Sequence, residues 1–159
     1  MSDPSAIFAY GVNLGDGSGY FLTRRGIFDE IDDLYEDHDW STPPQLEDGI
    51  ADFLRDRLAG FTDREPDFAL QPKFWDAWNK RRSAAHSALA VDLIRHGDDT
   101  DTHLILAAKP TYRTDWNRPV SVPQVGSLAP LFEAVSAAMA TLGIESSERP
   151  GWLLAAYGG

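Results

Sequence analysis

The chain has 159 residues and a mass of 17.6 kDa, the size of one domain, with 25 acidic against 14 basic residues and a formal net charge of −11. At 43% hydrophobic it is too apolar for a disordered chain, and the absence of cysteine excludes a disulfide framework, a thiolate-held metal and a thiol nucleophile. No run of 18 apolar residues occurs, and Met1-Ser2-Asp3-Pro4 has neither the basic nor the apolar stretch of a secretory leader, so the expected location is cytoplasmic, without membrane contact.

Residues 6–14 predict a strand rich in aromatic and branched side chains. Gly15-Asp16-Gly17-Ser18-Gly19 predicts a turn, and residues 20–23 a short returning strand. The glycines match neither phosphate-loop pattern, and no helix is expected to open behind them. Residues 27–38 predict a helix: Phe28, Ile31, Leu34 and Tyr35 fall within about 120° of the helical wheel. Asp29, Glu30, Asp32, Asp33, Glu36 and Asp37 fill the opposite side, and Asp39 follows. A second helix opens at Thr42-Pro43-Pro44-Gln45, a capping box with proline in the first turn, and ends near Gly60. Residues 73–85 predict a third helix carrying Phe74, Trp75 and Trp78, with a basic end of Lys80, Arg81 and Arg82. Aromatics at that spacing suit a core better than a base-stacking surface, and the basic end suits either pairing with the acidic helices or a second contact site.

Residues 87–96 and 102–109 predict two strands joined by a polar hairpin, and 110–126 an irregular segment. His96 and His103 flank that hairpin beside Asp98, Asp99 and Asp101. No standard metal-ligand spacing is met, so no metal site and no cofactor are expected. His38 and His86 read as isolated surface residues. Ser127 is expected to cap a helix ending at Gly143, with Leu128, Leu131, Phe132, Val135, Met139 and Leu142 inward. Residues 152–157 predict the last strand. The order matches a single α+β domain of the ferredoxin-like split βαβ type. It predicts an antiparallel sheet with helices on one face and an acidic helical insert at about 27–72.

Phe8-Ala9-Tyr10-Gly11-Val12-Asn13-Leu14-Gly15, His96 before its hairpin and Arg149-Pro150-Gly151-Trp152-Leu153-Leu154-Ala155-Ala156-Tyr157-Gly158 together resemble small acidic proteins of actinobacteria and their phages. The similarity spans about a third of the chain, and the group has no assigned activity, so the resemblance implies no catalytic residues.

Function is read from the charge. Residues 29–67 hold 14 acids and three bases, Arg55, Arg57 and Arg64, whereas acids and bases balance over the rest. Such a segment repels nucleic acid and anionic membranes and favours a basic protein. On a helix, Asp29, Asp33 and Asp37 form one row and Asp32 with Glu36 another, spaced about 5–6 Å apart, so they can imitate a run of phosphates. The leading expectation is a non-enzymatic binding protein, in the form of a phage-type inhibitor or nucleic-acid mimic. It would engage a basic, nucleic-acid-binding host protein through Asp29, Glu30, Asp32, Asp33, Glu36, Asp37 and Asp39. The alternative is a small enzyme or ligand-binding domain with a pocket near the 96–103 hairpin and the 110–118 loop, which carries Tyr112, Arg113, Asp115 and Trp116. A structural or assembly subunit is the third reading. No Gly-x-Ser-x-Gly, His-Glu-x-x-His or phosphate loop is present.

Overall fold

Side chains alternate between the two sides of a β-strand, and here both sides are apolar, so the sheet must be covered twice. A computed structural model describes residues 5–17, 20–36, 46–67, 69, 71–97, 102–115, 118–122, 124 and 126–157. In chain order the elements are β1 (Ser5–Gly15), β2 (Leu22–Arg24), α1 (Ile27–Glu36), α2 (Leu46–Ala59) and α3 (Pro72–Ser87). They continue with β3 (Val91–Gly97), β4 (Thr102–Asp115), α4 (Ala129–Leu142), β5 (Glu145–Ser146) and β6 (Gly151–Tyr157). The protein is α+β, built on a four-stranded antiparallel sheet.

β4 lies between β1 and β3 and runs antiparallel to both, so β1 and β3 point the same way. β6 pairs antiparallel with the other edge of β1, from Ser5 opposite Tyr157 to Gly11 opposite Gly151. The sheet does not stay flat. It coils until the end of β3 meets the end of β6, where one bridge of parallel sense between Gly97 and Tyr157 closes a barrel. The coiling gives the second face its own core: Ile7, Ala9, Ile94, Ile105 and Ala107 pack together, with Leu153 and Ala155 against them. Small alanines at the centre let the sheet fold tightly over itself.

The other face meets the helices. Tyr10, Val12 and Leu14 of β1, Val91 and Leu93 of β3, and Leu104, Leu106 and Ala108 of β4 pack with Phe28 and Ile31 of α1, Leu54 of α2 and Val135 and Leu142 of α4. Leu54, Leu106 and Val135 are fully inaccessible.

Several boundaries differ from the sequence expectation, each for a physical reason. β2 does not return along β1; it pairs with β5, a strand with no sequence signal of its own. The positive-φ glycines Gly26 and Gly143 bring the two together, since a Cβ on Gly26 would lie 2.2 Å from the Gly143 carbonyl oxygen. Residues 87–90 end α3 and turn, so β3 begins only at Val91. β4 runs through the expected irregular segment to Asp115, its pairing with β1 shifting register beside a cis Lys109–Pro110 bond. The N-cap of α4 is Leu128, not Ser127, without a side-chain cap; the Ser127 hydroxyl just before it accepts from the Ala129 amide at 3.2 Å, and left-handed Gly143 ends the helix. Leu128 and Phe132 are each 45% exposed, not inward, and Ala138 takes an inward place. Among the described residues no helix is long and apolar enough to cross a membrane.

Candidate functional site

The acidic helix forms where the apolar spacing predicts it. Phe28 and Ile31 are buried, which fixes the helix and turns Asp29, Glu30, Asp32 and Asp33 to solvent. Glu36 closes α1, while Asp37 and Asp39 lie outside the described residues. The row is not bare. Arg25 lies 3.7 Å from Asp29 and donates to Asp32, and Arg57 of α2 reaches Glu30 at 2.7 Å. Asp33 is the one of the four without an ion pair among the described residues. Counting charge between residues 29 and 67 missed Arg25, which precedes α1 and reaches the acids of its first turns.

Three acids of α2 and the loop after it, Asp52, Asp56 and Asp63, are paired within the molecule. Asp52 is bound by Arg55 at 2.9 Å and lies 3.6 Å from Arg82, Asp56 is bound by Arg82 and His86, and Asp63 by Arg81 at 2.7 Å. The basic end of α3 therefore pairs with the acidic helices, as its sequence suggested. His86 is not an isolated surface residue: its side chain is 16% exposed, with Nε2 2.6 Å from Asp56 Oδ1. Burial pushes the Asp56 carboxyl up, but hydrogen bonds from Arg82 and His86 and their nearby charges outweigh it and hold it below 3.8. Trp78 is buried and its indole donates to the Asp63 carbonyl at 3.1 Å, whereas Phe74 stands 47% exposed.

His96 and His103 face each other across the β3–β4 ladder, their rings 5.5 Å apart, and His96 Nε2 lies 3.2 Å from Asn13 Oδ1. Phe21 stands against His103 at 6.1 Å. Asp98, Asp99, Asp101 and His38 lie outside the described residues, as does the 42–45 capping box. No cluster of three metal-ligating side chains occurs among the described residues.

A cleft of about 560 Å³ opens beside β3 and the far end of β4. Its floor is apolar, from Ile7, Ala51, Leu93 and Ile94, and Arg55, Asp92, Arg95, Thr111, Tyr112 and Arg113 complete the lining. Arg95 stands opposite Leu104 in the β3–β4 ladder, nine positions before Arg113 on β4, and Arg113 stands opposite Ile7 of β1. Arg55 is locked from α2: it donates to Asp92 Oδ1 at 3.1 Å, to Asp52 Oδ1 at 2.9 Å and to the Leu93 carbonyl at 2.6 Å.

No protein-family model, curated protein or solved structure matches this chain.

Proposed function

We propose that the chain is a binding protein that engages a basic protein partner through the outer face of α1, in the manner of a phage-type inhibitor or nucleic-acid mimic. The observation that carries this reading is the orientation of Asp29, Glu30, Asp32 and Asp33, all in solvent on a helix pinned by Phe28 and Ile31. Arg25 and Arg57 offset part of that charge, so four carboxylates stand against two guanidiniums and Asp33 is the strongest single contributor. Rim charges of this kind set encounter rate and salt dependence more than affinity.

The test is charge reversal. Asp29→Lys, Asp33→Lys and Glu36→Lys together should abolish binding of an oligo-lysine peptide, and capture of basic proteins from a host lysate, at low ionic strength. The parent protein should lose both as salt rises. Equal binding by the reversed variant, with the same salt dependence, overturns the reading.

The sheet supports the ferredoxin-like split βαβ assignment in one respect: β1 and β3 are parallel with β4 inserted between them, and β6 lies beyond β1. The closing bridge at Gly97 and Tyr157 is a departure from the open form of that plan.

A second reading, a small enzyme or ligand-binding domain, is favoured by the cleft lined by Arg95, Thr111, Tyr112 and Arg113, the last three in the 110–118 segment.

A further inference from the structure

We propose that the chain associates with a second copy of itself through the outer edge of β6, the two strands pairing antiparallel about a two-fold axis at Leu154. None of the residues of β6 belongs to α1 or lines the cleft beside β3.

The edge is the first argument. β6 pairs along its whole length with β1, from Gly151 to Tyr157. On its other side its one pairing among the described residues is the bridge from Tyr157 to Gly97, so the stretch 152–156 offers an edge past that bridge. Proteins usually blunt such an edge with a charged side chain, a proline or a bulge. β6 has none of these: it holds no charge and no proline and runs in unbroken register with β1. Its outward side chains are apolar, with Leu154 75% and Trp152 37% exposed and Ala156 exposed beside them.

Side-chain size is the second argument, and it selects the occupant. Turned antiparallel on its own copy about Leu154, the strand sets Trp152 opposite Ala156 of the second copy and Leu153 opposite Ala155 of the second copy. Large meets small at each step, and Leu154 meets itself on the axis. Side chains directly opposite lie about 4.5–5.5 Å apart, so Trp152 spreads over the space that alanine leaves and the two Leu154 side chains cover each other. Other registers lose this fit. A slip of one residue sets inward Leu153 against outward Leu154. Centring on Leu153 sets Trp152 against Leu154, and centring on Ala155 carries Trp152 past the end of the strand.

Charge is the third. No charged residue lies between Pro150 and Gly159, in a chain of net charge −11. A basic partner gains nothing on this strand, whereas a second acidic chain meets no like charge along it. Paired edges of five residues fall short of the roughly 1,200 Å² of a stable interface, so the dimer is weak and depends on concentration. Salt screens the long-range repulsion of two like-charged molecules and so strengthens the dimer, the opposite of its effect on a basic protein bound at α1.

The experiment is sedimentation velocity of the full chain from about 10 μM to about 1 mM, in about 0.05 M and about 0.5 M sodium chloride. Monomer should convert to dimer as concentration rises, with association at least about threefold tighter at the higher salt. Leu154→Lys, at a 75% exposed position, should weaken association at least about tenfold with the fold intact, because it sets two like charges on the axis. Phe74→Lys, at an exposed apolar position on α3, should leave it unchanged. The register is read with cysteine, which the chain lacks. Mild oxidation should link Leu154→Cys to its own copy, because positions facing each other on the axis are within disulfide reach. Ala156→Cys should stay unlinked, because its two copies stand about 13–14 Å apart along the strands. A protein that stays monomeric throughout, a dimer weakened by salt, or a dimer that survives Leu154→Lys overturns the proposal. So does linkage of Ala156→Cys, or of neither variant, since the strands would then not pair as described.

Discussion

Arg82 grips Asp56 with both arms of its guanidinium. Nε donates to Oδ1 at 2.9 Å and Nη2 to Oδ2 at 2.7 Å, so α3 is bolted to α2 by a planar fork. The same guanidinium lies 5.0 Å over the Trp78 ring. Trp78 is the only buried side chain of α3, so this helix owes its position to one indole and a polar clamp, not to a broad apolar stripe. Both partners are 23% exposed, dry enough for the bond to matter and wet enough for solvent to weaken it.

Arg82→Lys keeps the charge and discards the fork and the stacked plane. It should cost about 1–2 kcal/mol in urea unfolding, less than a fully buried charged hydrogen bond because of solvent screening. Hydrogen exchange should quicken in α3 before it quickens in β4. Unchanged exchange in α3 would show that the clamp does not hold the helix.

The same clamp sets a pH dependence. Asp56 is held below its ordinary value of 3.8 by Arg82 and His86, against the upward push of burial. A carboxylate lowered on folding contributes stability that is complete above its unfolded value and is lost as pH falls through the folded one. Asp56→Asn should therefore be less stable than the parent at neutral pH, and the gap should close as the pH drops below 3.8. Urea midpoints for the two proteins across the acid range measure it; a gap that persists undiminished at about pH 2 contradicts the assignment.

What the sequence made legible was local. The spacing of Phe28 and Ile31 placed α1, Gly143 ended α4, and the polar stretch after His96 separated two apolar runs that pair as β3 and β4. What it hid was non-local. The coiling that closes the barrel depends on alanines at 9 and 107 packing across the sheet, and nothing in their immediate neighbours signals it. Pairing of β2 with β5 depends on two glycine backbones meeting over 117 positions of chain. The sequence named the 110–118 segment as a pocket site, but not that Arg55 of α2 and Arg95 of β3 would join Tyr112 and Arg113 there. A composition window counts carboxylates and not their partners, so it did not reveal that Arg25 and Arg57 pair with Asp29, Asp32 and Glu30. Asp52 with Asp56 and Arg82 with His86 are each four residues apart on facing helices, a complementary signal that spacing alone contained.

Phe8 and Trp152 stack at 4.8 Å with their planes 1° apart, and Tyr10 meets Trp152 edge-on at 5.5 Å. The stack spans the β1–β6 pair where the helices leave the sheet uncovered, and Trp152 is 37% exposed. A double-mutant cycle with Phe8→Leu and Trp152→Leu should give a coupling of about 0.5–1.5 kcal/mol in chemical unfolding. Additive single effects would mean that the rings are neighbours without mutual stabilisation.

Two glycines of opposite environment give the sharpest test of the packing. Gly11 crosses β4 so closely that a Cβ would sit 2.0 Å from the Leu106 carbonyl oxygen and 2.8 Å from the Ala107 Cα. Those atoms are backbone in the middle of the barrel and cannot yield as a side-chain tip would. Gly11→Ala should destabilise by at least about 2–3 kcal/mol, at the upper end of overpacking costs, because β1 must move off β4. Gly49, inside α2, has nothing within 4 Å of its added Cβ. Gly49→Ala removes the conformational freedom of glycine from the unfolded chain and should stabilise by about 0.5–1 kcal/mol. Thermal and urea unfolding of the two variants should move in opposite directions; a tolerated Gly11→Ala would mean that β1 and β4 are not in this register.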